Sequence, residues 1–160
     1  MKTNHQYSTF LSKFITGILL SVIALSLQIT SLQAKSLDVA EGFVRETIPG
    51  TTISSAYMTL TNTSDKALKL VGASSDFSPR IEIHEHSMAN GMMSMRQIDS
   101  IIIDANASVV LQPSGLHLMI FELPSPLKAN QMVNITLHFA DAPNMDVSLP
   151  VKGIKRKKHH

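Results

Sequence analysis

The chain has 160 residues, of which 44% are hydrophobic, 16% charged and 5% aromatic, without tryptophan. This length suits one domain, and the apolar content argues against a disordered chain. Cysteine is absent, which excludes disulfides, zinc–cysteine sites, iron–sulfur clusters, catalytic thiols, blue-copper centres and a lipid anchor on cysteine. Residues 35–151 carry seven basic and twelve acidic residues, a balance that is not typical of a nucleic-acid-binding surface.

The first 34 residues have the pattern of a secretory signal peptide. Lys2 and Lys13 precede a charge-free apolar stretch over residues 14–27, and a short polar segment then ends at Ala34. We therefore predict a signal peptide over residues 1–34, cleaved after Ala34, and export to a bacterial periplasm. A retained membrane anchor is the alternative, because residues 14–34 are long enough to span a bilayer. The polar residues near the end of this segment favour cleavage.

Residues 35–151 are predicted to form one all-β domain. Apolar and polar residues alternate over short stretches, as in residues 54–62, where Ala56, Met58 and Leu60 share one face. Turn signals such as Pro49-Gly50 separate these stretches. Strands are predicted over residues 37–47, 54–62, 68–73, 80–86, 92–97, 109–111, 116–121, 132–139 and 147–151. Many short strands at this spacing favour an antiparallel β-sandwich or barrel.

The last nine residues, 152–160, form a basic segment that is predicted to be a disordered tail. His159 and His160 end the chain. Three interpretations of this pair stay open: native residues, a weak site for Cu(II), since imidazole nitrogen is a copper ligand, or residues foreign to the natural sequence.

Histidine and methionine concentrate in two runs, over residues 84–95 and 117–119. Imidazole nitrogen and thioether sulfur are the donors that Cu(I) prefers, whereas carboxylates suit harder ions. Two residues apart on a strand, His117 and Met119 share a face, and we expect that face to point away from the aliphatic core. The same parity places His84 and His86 away from the core, and a hairpin after His86 would return Met95 toward His84.

Other methionines and histidines have simpler interpretations. Met58, Met92 and Met132 are interpreted as core residues, the usual place of methionine in a strand. His138 lies on the polar face of its strand and is interpreted as solvated. Met93 has the same strand parity as Met95, so the spacing leaves open which of the two would bind a metal.

The spacing of these residues resembles that of a known family. His84 is followed by ten residues and Met95, and then by twenty-one residues and His117-Leu118-Met119. This pattern is similar to that of the PCuAC-type periplasmic copper(I) chaperones, and the resemblance covers residues 37–151.

The resemblance implies a cupredoxin-like, Ig-like antiparallel β-sandwich that binds Cu(I) through His84, Met95, His117 and Met119. His86, Met88 and Met93 are candidate auxiliary ligands. It also implies delivery of copper to an acceptor such as the CuA subunit of cytochrome c oxidase or a thioredoxin-like copper chaperone. Copper storage or resistance, and an Ig-like interaction module without metal, are the alternatives. No triad or carboxylate pair stands out in the sequence, so we expect a protein that is not an enzyme.

Overall fold

The computed structural model of the chain describes residues 36–89 and 92–153, and at positions 88 and 89 it describes the backbone alone. The predicted signal peptide with its cleavage point at Ala34 and the tail from residue 154 lie outside the described residues. Within the described ranges all regular structure is β-strand, and they contain no helix long and apolar enough to cross a membrane.

Ten strands follow one another along the chain. They are β1 (Leu37–Arg45), β2 (Ser54–Asn62), β3 (Leu68–Ser74), β4 (Arg80–Ala89), β5 (Met92–Gln97), β6 (Ile101–Ile103), β7 (Ser108–Leu111), β8 (Leu116–Phe121), β9 (Met132–Phe139) and β10 (Met145–Lys152). Nine of them were predicted, four with identical bounds, and β6 was not.

The strands form one continuous sheet in the order β5-β4-β8-β7-β2-β1-β10-β9-β3-β6, and β2 also pairs with β8. The pairs β1–β10 and β7–β8 are parallel, and the other pairs are antiparallel. The part from β5 to β1 and the part from β10 to β6 enclose one aliphatic core between them, which includes Leu60, Leu118 and Ile120 from the first part and Leu70, Ile135 and Leu137 from the second. The predicted antiparallel β-sandwich is therefore confirmed.

Alternation in β8 separates the core from the opposite face of the sheet. Leu118 and Ile120 are fully buried in the core, and burying each such side chain contributes about 1.5–3 kcal/mol. The residues between them, His117 and Met119, therefore point to the other side of the same strand. The packing of the core thus decides which face of the sheet carries the candidate ligands.

A buried asparagine ties the end of β2 to the loops beside it. Asn62 is fully buried, and its Nδ2 donates to the carbonyl oxygens of Lys66, Ile103 and Asp104. Its Oδ1 accepts from the backbone N and the Oγ of Ser64. Because all of its polar atoms have partners, Asn62 stabilises the fold away from the candidate ligands.

Candidate metal site

The predicted ligands lie on one face of three neighbouring strands, β5, β4 and β8. His84 on β4 is the direct cross-strand partner of His117 on β8, and their ring centroids are 6.0 Å apart. On the other side of β4, His86 is the cross-strand partner of Met95 on β5. The register therefore brings together residues that lie far apart in the sequence.

His117 is oriented by the turn that precedes β8. Its Nδ1 donates to the carbonyl oxygen of Gly115, at 3.0 Å, so the neutral ring keeps its proton on Nδ1 and a lone pair on Nε2. The Nε2 atom lies 3.2 Å from Met95 Sδ. Two ligand atoms of one tetrahedral metal ion with bond lengths like those of zinc lie about 3.5 Å apart. The pair thus has a separation suited to shared coordination.

His84 is oriented by a carboxylate. Its Nε2 donates to Glu82 Oε2 at 2.8 Å, and Arg80 Nη1 donates to the other oxygen of Glu82 at 2.8 Å. The proton of the neutral ring is therefore held on Nε2. The Nδ1 of His84 is buried and has no hydrogen-bond partner, so it is the nitrogen with a free lone pair. Metal-binding histidines commonly donate their other nitrogen to a carboxylate in this way.

Met119 shares the face of His117 but is buried rather than open to solvent. It is 8% exposed, and His117 is 2% exposed, whereas the strand parity alone suggested an outward position. Strand β2 pairs with this part of β8; Ser55 Oγ donates to Met119 Sδ at 3.3 Å, and the Tyr57 ring centroid is 6.2 Å from that of His117. Side chains of β2 thus partly cover His117 and Met119 on the face of the sheet that points away from the core.

The auxiliary candidates lie toward the end of the β4–β5 hairpin. The His86 ring stacks on His117 with centroids 5.0 Å apart. Met93 is the cross-strand partner of Met88 and is 61% exposed, while Met95 is 47% exposed.

Two of the three predicted core methionines are not in the core. Met58 is 2% exposed, as predicted, but Met92 is 71% and Met132 is 60% exposed. Met92 lies on the sheet-edge strand β5, all of whose residues are exposed. Met132 lies on the outward face of β9, because its neighbour Val133 points inward. The prediction of these two as core residues was wrong.

The electrostatics favour a neutral His117 and an ionised Glu82. Burial lowers the pKa of His117, and the neighbouring His86 and His84 lower it further, against the opposing effect of its bond to Gly115. The hydrogen bond from His84, followed by that from Arg80, lowers the pKa of Glu82. At neutral pH the imidazole of His117 is therefore ready to bind a metal rather than a proton.

Sequence reasoning missed three residues of this site: Glu82, Ser55 and Tyr57. The alternation of side chains along β4 could have identified Glu82, because it lies two positions before His84 and therefore shares its face. Among the described side chains no three of His, Cys, Asp or Glu lie close enough together to hold a metal ion. A metal site here therefore needs the thioethers.

Comparison with known proteins supports the relationship suggested by the ligand spacing. The model of the LpqE-like family matches residues 37–151. The protein Lxx21020 of Leifsonia xyli subsp. xyli, named as a lipoprotein, is 31% identical over 128 residues, which are 79% of this chain and 76% of that protein.

Solved structures share the fold. The solution structure of CuI-DR1885 from Deinococcus radiodurans is 33% identical, with a TM-score of 0.62 over 79% of this chain and 85% of that one. The copper-bound PCuAC domain from PmoF2 has a TM-score of 0.64 at 18% identity, over 75% of this chain and 95% of that domain. The chain therefore belongs to the LpqE-like family and has the fold of PCuAC domains, as the resemblance implied.

Proposed function

We propose that this protein binds one Cu(I) ion through His84, Met95, His117 and Met119 and carries it to an acceptor protein. The observation that carries the proposal is the 3.2 Å separation of His117 Nε2 and Met95 Sδ. Neither atom has a proton to donate when His117 holds its proton on Nδ1. A soft cation between them accounts for this pair of facing lone pairs.

The other two ligands belong to the same face. The unpartnered Nδ1 of His84 supplies the second nitrogen, with Glu82 fixing the tautomer. Met119 supplies the second sulfur after release from Ser55. Because Met95 has the contact with His117, it is the better choice over the more exposed Met93. The copper-bound solved structures with this fold support copper as the cargo.

Four neutral ligands suit transfer better than permanent storage. None of them carries the negative charge of a thiolate, so a cysteine-rich acceptor would bind Cu(I) more favourably. Met95 is half-exposed and offers an acceptor access to the ion by stepwise ligand exchange. We therefore propose a binding and transfer protein rather than an enzyme, with the CuA subunit of cytochrome c oxidase or a thioredoxin-like copper chaperone as acceptor.

Export is part of the proposal. We propose that residues 1–34 direct the chain to the periplasm and are removed after Ala34. The lipoprotein name of the Leifsonia relative agrees with an exported family. The mass of the protein isolated from a periplasmic fraction tests the cleavage point, and a mass that includes residues 1–34 would contradict it.

Anaerobic loading with Cu(I) tests the metal site. We expect one tightly bound Cu(I) per chain and an X-ray absorption spectrum with both nitrogen and sulfur neighbours. A spectrum with only nitrogen and oxygen neighbours would contradict the site. Incubation of the loaded protein with the copper-free CuA subunit then separates transfer, which moves the copper, from storage, which retains it.

A further inference from the structure

The loop that joins β1 to β2 exposes two isoleucine side chains. Ile48 is 55% exposed and Ile53 is 44% exposed. Between them the chain turns, and Thr51 N donates to the carbonyl oxygen of Ile48 at 3.0 Å. Apolar surface in water is unfavourable, and neither the core nor the candidate metal site uses these two side chains.

Basic residues surround this loop. Arg45 ends β1 just before the loop, and its cross-strand partner is Lys152 at the end of β10. Lys128 lies beside the loop as well, because the preceding Leu127 exchanges two hydrogen bonds with Thr47. All three basic residues are exposed. We call Arg45, Ile48, Ile53, Lys128 and Lys152 the basic–apolar patch.

Two charges of this patch have no acidic partner among the described residues. Neither Arg45 nor Lys152 forms a salt bridge there, and Lys152 Nζ lies 4.5 Å from the centroid of the Phe43 ring instead. The nearby Glu122 carboxylate is bonded to Arg80. Like charges side by side repel each other, so this neighbouring pair favours an anion supplied from outside the chain.

The sequence adds positive charge where the described residues end. Glu46 N donates to the carbonyl oxygen of Lys152 at 2.9 Å, so the described part of the chain ends next to the same loop. Four of the next five residues after position 153 are basic: Lys155, Arg156, Lys157 and Lys158. With the three basic residues of the patch they outnumber Glu41, which lines a groove with Lys152, and Glu46.

We propose that the basic–apolar patch binds the surface of an anionic membrane. Isoleucine side chains enter the boundary between headgroups and acyl chains, while lysine and arginine are attracted to the negative headgroups. A nucleic acid would use the positive charge but leave Ile48 and Ile53 in water, so a lipid surface accounts for both features. This contact is separate from the anchor considered for residues 14–34, and it does not depend on the proposed Cu(I) site.

The strand register places the candidate metal site away from the patch. Ser54, which follows the loop, pairs with Ile120 near the end of β8. Met95 pairs with His86, whose backbone N donates to the carbonyl oxygen of Gly115 before β8 begins. Positions 115 and 120 are about 17 Å apart along an extended chain. A membrane bound at the patch would therefore leave Met95 accessible to a partner in solution.

Sedimentation with lipid vesicles tests the proposal. The chain isolated from a periplasmic fraction is mixed with vesicles of phosphatidylcholine alone or of equal amounts of phosphatidylcholine and phosphatidylglycerol. We expect at least tenfold stronger binding to the anionic vesicles and a loss of this difference as salt screens the charges. Retained residues 1–34 would bind both kinds of vesicle, so the difference between the two is the quantity that reports the patch.

Two double variants separate the charged from the apolar contribution. Arg45→Gln/Lys152→Gln should weaken binding to anionic vesicles at least tenfold, since each basic residue near such a surface contributes roughly fivefold. Ile48→Gln/Ile53→Gln should weaken it at least fivefold with the charge unchanged. The matched control is Lys69→Gln/Ile102→Gln, an exposed basic and apolar pair on β3 and β6, which should stay within twofold of the unmodified chain.

Several results would overturn the proposal. One is equal binding of the unmodified chain to both kinds of vesicle, which decides the matter even where a variant fails to fold. Another is a loss in the control as large as in the patch variants, or a loss confined to a chain in which Lys155, Arg156, Lys157 and Lys158 are glutamine. Binding of double-stranded DNA that is at least as strong and is unaffected by Ile48→Gln/Ile53→Gln would identify a nucleic acid as the ligand instead.

Discussion

His117 Nε2 and Met95 Sδ lie 3.2 Å apart although 22 positions separate these residues in the chain. Strand β4 lies between their strands in the sheet, and the contact is made across it over the shared face. Both side chains project far enough from the sheet to meet there. An ion bound between them would thereby link the edge strand β5 to the interior strand β8.

Replacing a methionine with leucine removes the sulfur and keeps the side-chain volume, so it should distinguish metal ligands from residues that only pack. We expect Met95→Leu and Met119→Leu each to weaken Cu(I) binding by at least tenfold, because leucine keeps the apolar bulk but offers no donor. Their free energies of unfolding should change by less than about 1.5 kcal/mol. Competition with a Cu(I) chelator and urea denaturation measure the two quantities.

Met58 provides the matched control for these variants. It is 2% exposed in the core, so Met58→Ala should lower the free energy of unfolding by about 2–5 kcal/mol. Its Cu(I) affinity should remain that of the unmodified chain under conditions in which the variant is folded. Full Cu(I) affinity in Met119→Leu would show that Met119 is not a ligand.

Glu82 should tune the site without touching the metal. Glu82→Gln replaces an acceptor-only carboxylate with an amide that no longer fixes the proton of His84 on Nε2. Loss of such a partner typically lowers metal affinity by 10–100-fold. Nitrogen NMR of the imidazole should show a mixture of tautomers at His84 in this variant, a change that a packing defect would not produce.

Glu85→Gln serves as the comparison for Glu82→Gln. Glu85 lies on the same strand but on its other face, where Arg96 Nη2 donates to it at 2.9 Å. This exposed pair contributes little to stability. We expect an unchanged tautomer and an unchanged Cu(I) affinity; equal effects of the two substitutions would mean that general charge, not the bond to His84, matters.

The sequence was sufficient to predict most strands because alternation is strong where one face is buried. Leu118 and Ile120 in β8 show this, and their parity also placed His117 and Met119 together. Strand β6 was not predicted because Ile101, Ile102 and Ile103 are all apolar, although the middle residue is 52% exposed. Three residues of one type carry no alternation.

Long-range register was harder to predict than strand position. The tautomer of His84 depends on Glu82, which alternation could have identified, but the contact of Ser55 with Met119 depends on how β2 pairs with β8. No local pattern encodes that pairing. The burial of Met119 follows from the same pairing, and so the sequence suggested an outward residue where the structure has a covered one.

Asn62 should be important for stability and irrelevant for copper. Asn62→Ala removes the Nδ2 donor that three carbonyl oxygens share, of which the bond to Ile103 is buried, and this should lower the free energy of unfolding by about 1–3 kcal/mol. Urea denaturation at neutral pH measures the loss. Since Asn62 is distant in the sheet from the metal site, we expect the folded variant to keep its Cu(I) affinity. A reduced Cu(I) affinity would contradict a purely structural role for Asn62.

The stability of the metal-free protein should fall in acid. The pKa of His117 is lowered from its usual 6.5 by burial, so the unfolded chain binds the proton more tightly and stability is lost as the pH falls below about 6.5. The pKa of Glu82 is lowered from 4.5, which adds a second loss at lower pH. Urea midpoints from pH 8 to pH 3 should decline, and His117→Gln should remove the part of the decline near pH 6.

Cu(I) affinity should fall on acidification, because protons compete with the metal for the imidazoles of His84 and His117. Thioethers do not titrate in this range, so the pH dependence reports the histidines alone. The lowered pKa of His117 delays its protonation, and bound copper delays it further, so the complex should persist somewhat below pH 6.5. Each imidazole that a proton displaces from the ion should lower the logarithm of the affinity by up to about one further unit per pH unit.

Competition against a Cu(I) chelator, corrected for the chelator's own protonation, measures this dependence. We expect affinity to be level at high pH and to decline as the pH falls, because protons compete with the ion for the imidazoles. Replacement of His84 by methionine, which offers no site for a proton, should make the decline shallower. A level affinity from pH 8 to pH 4 would mean that thioethers alone bind the ion, with Met88, Met93, Met95 and Met119 as the ligands and the histidines as bystanders.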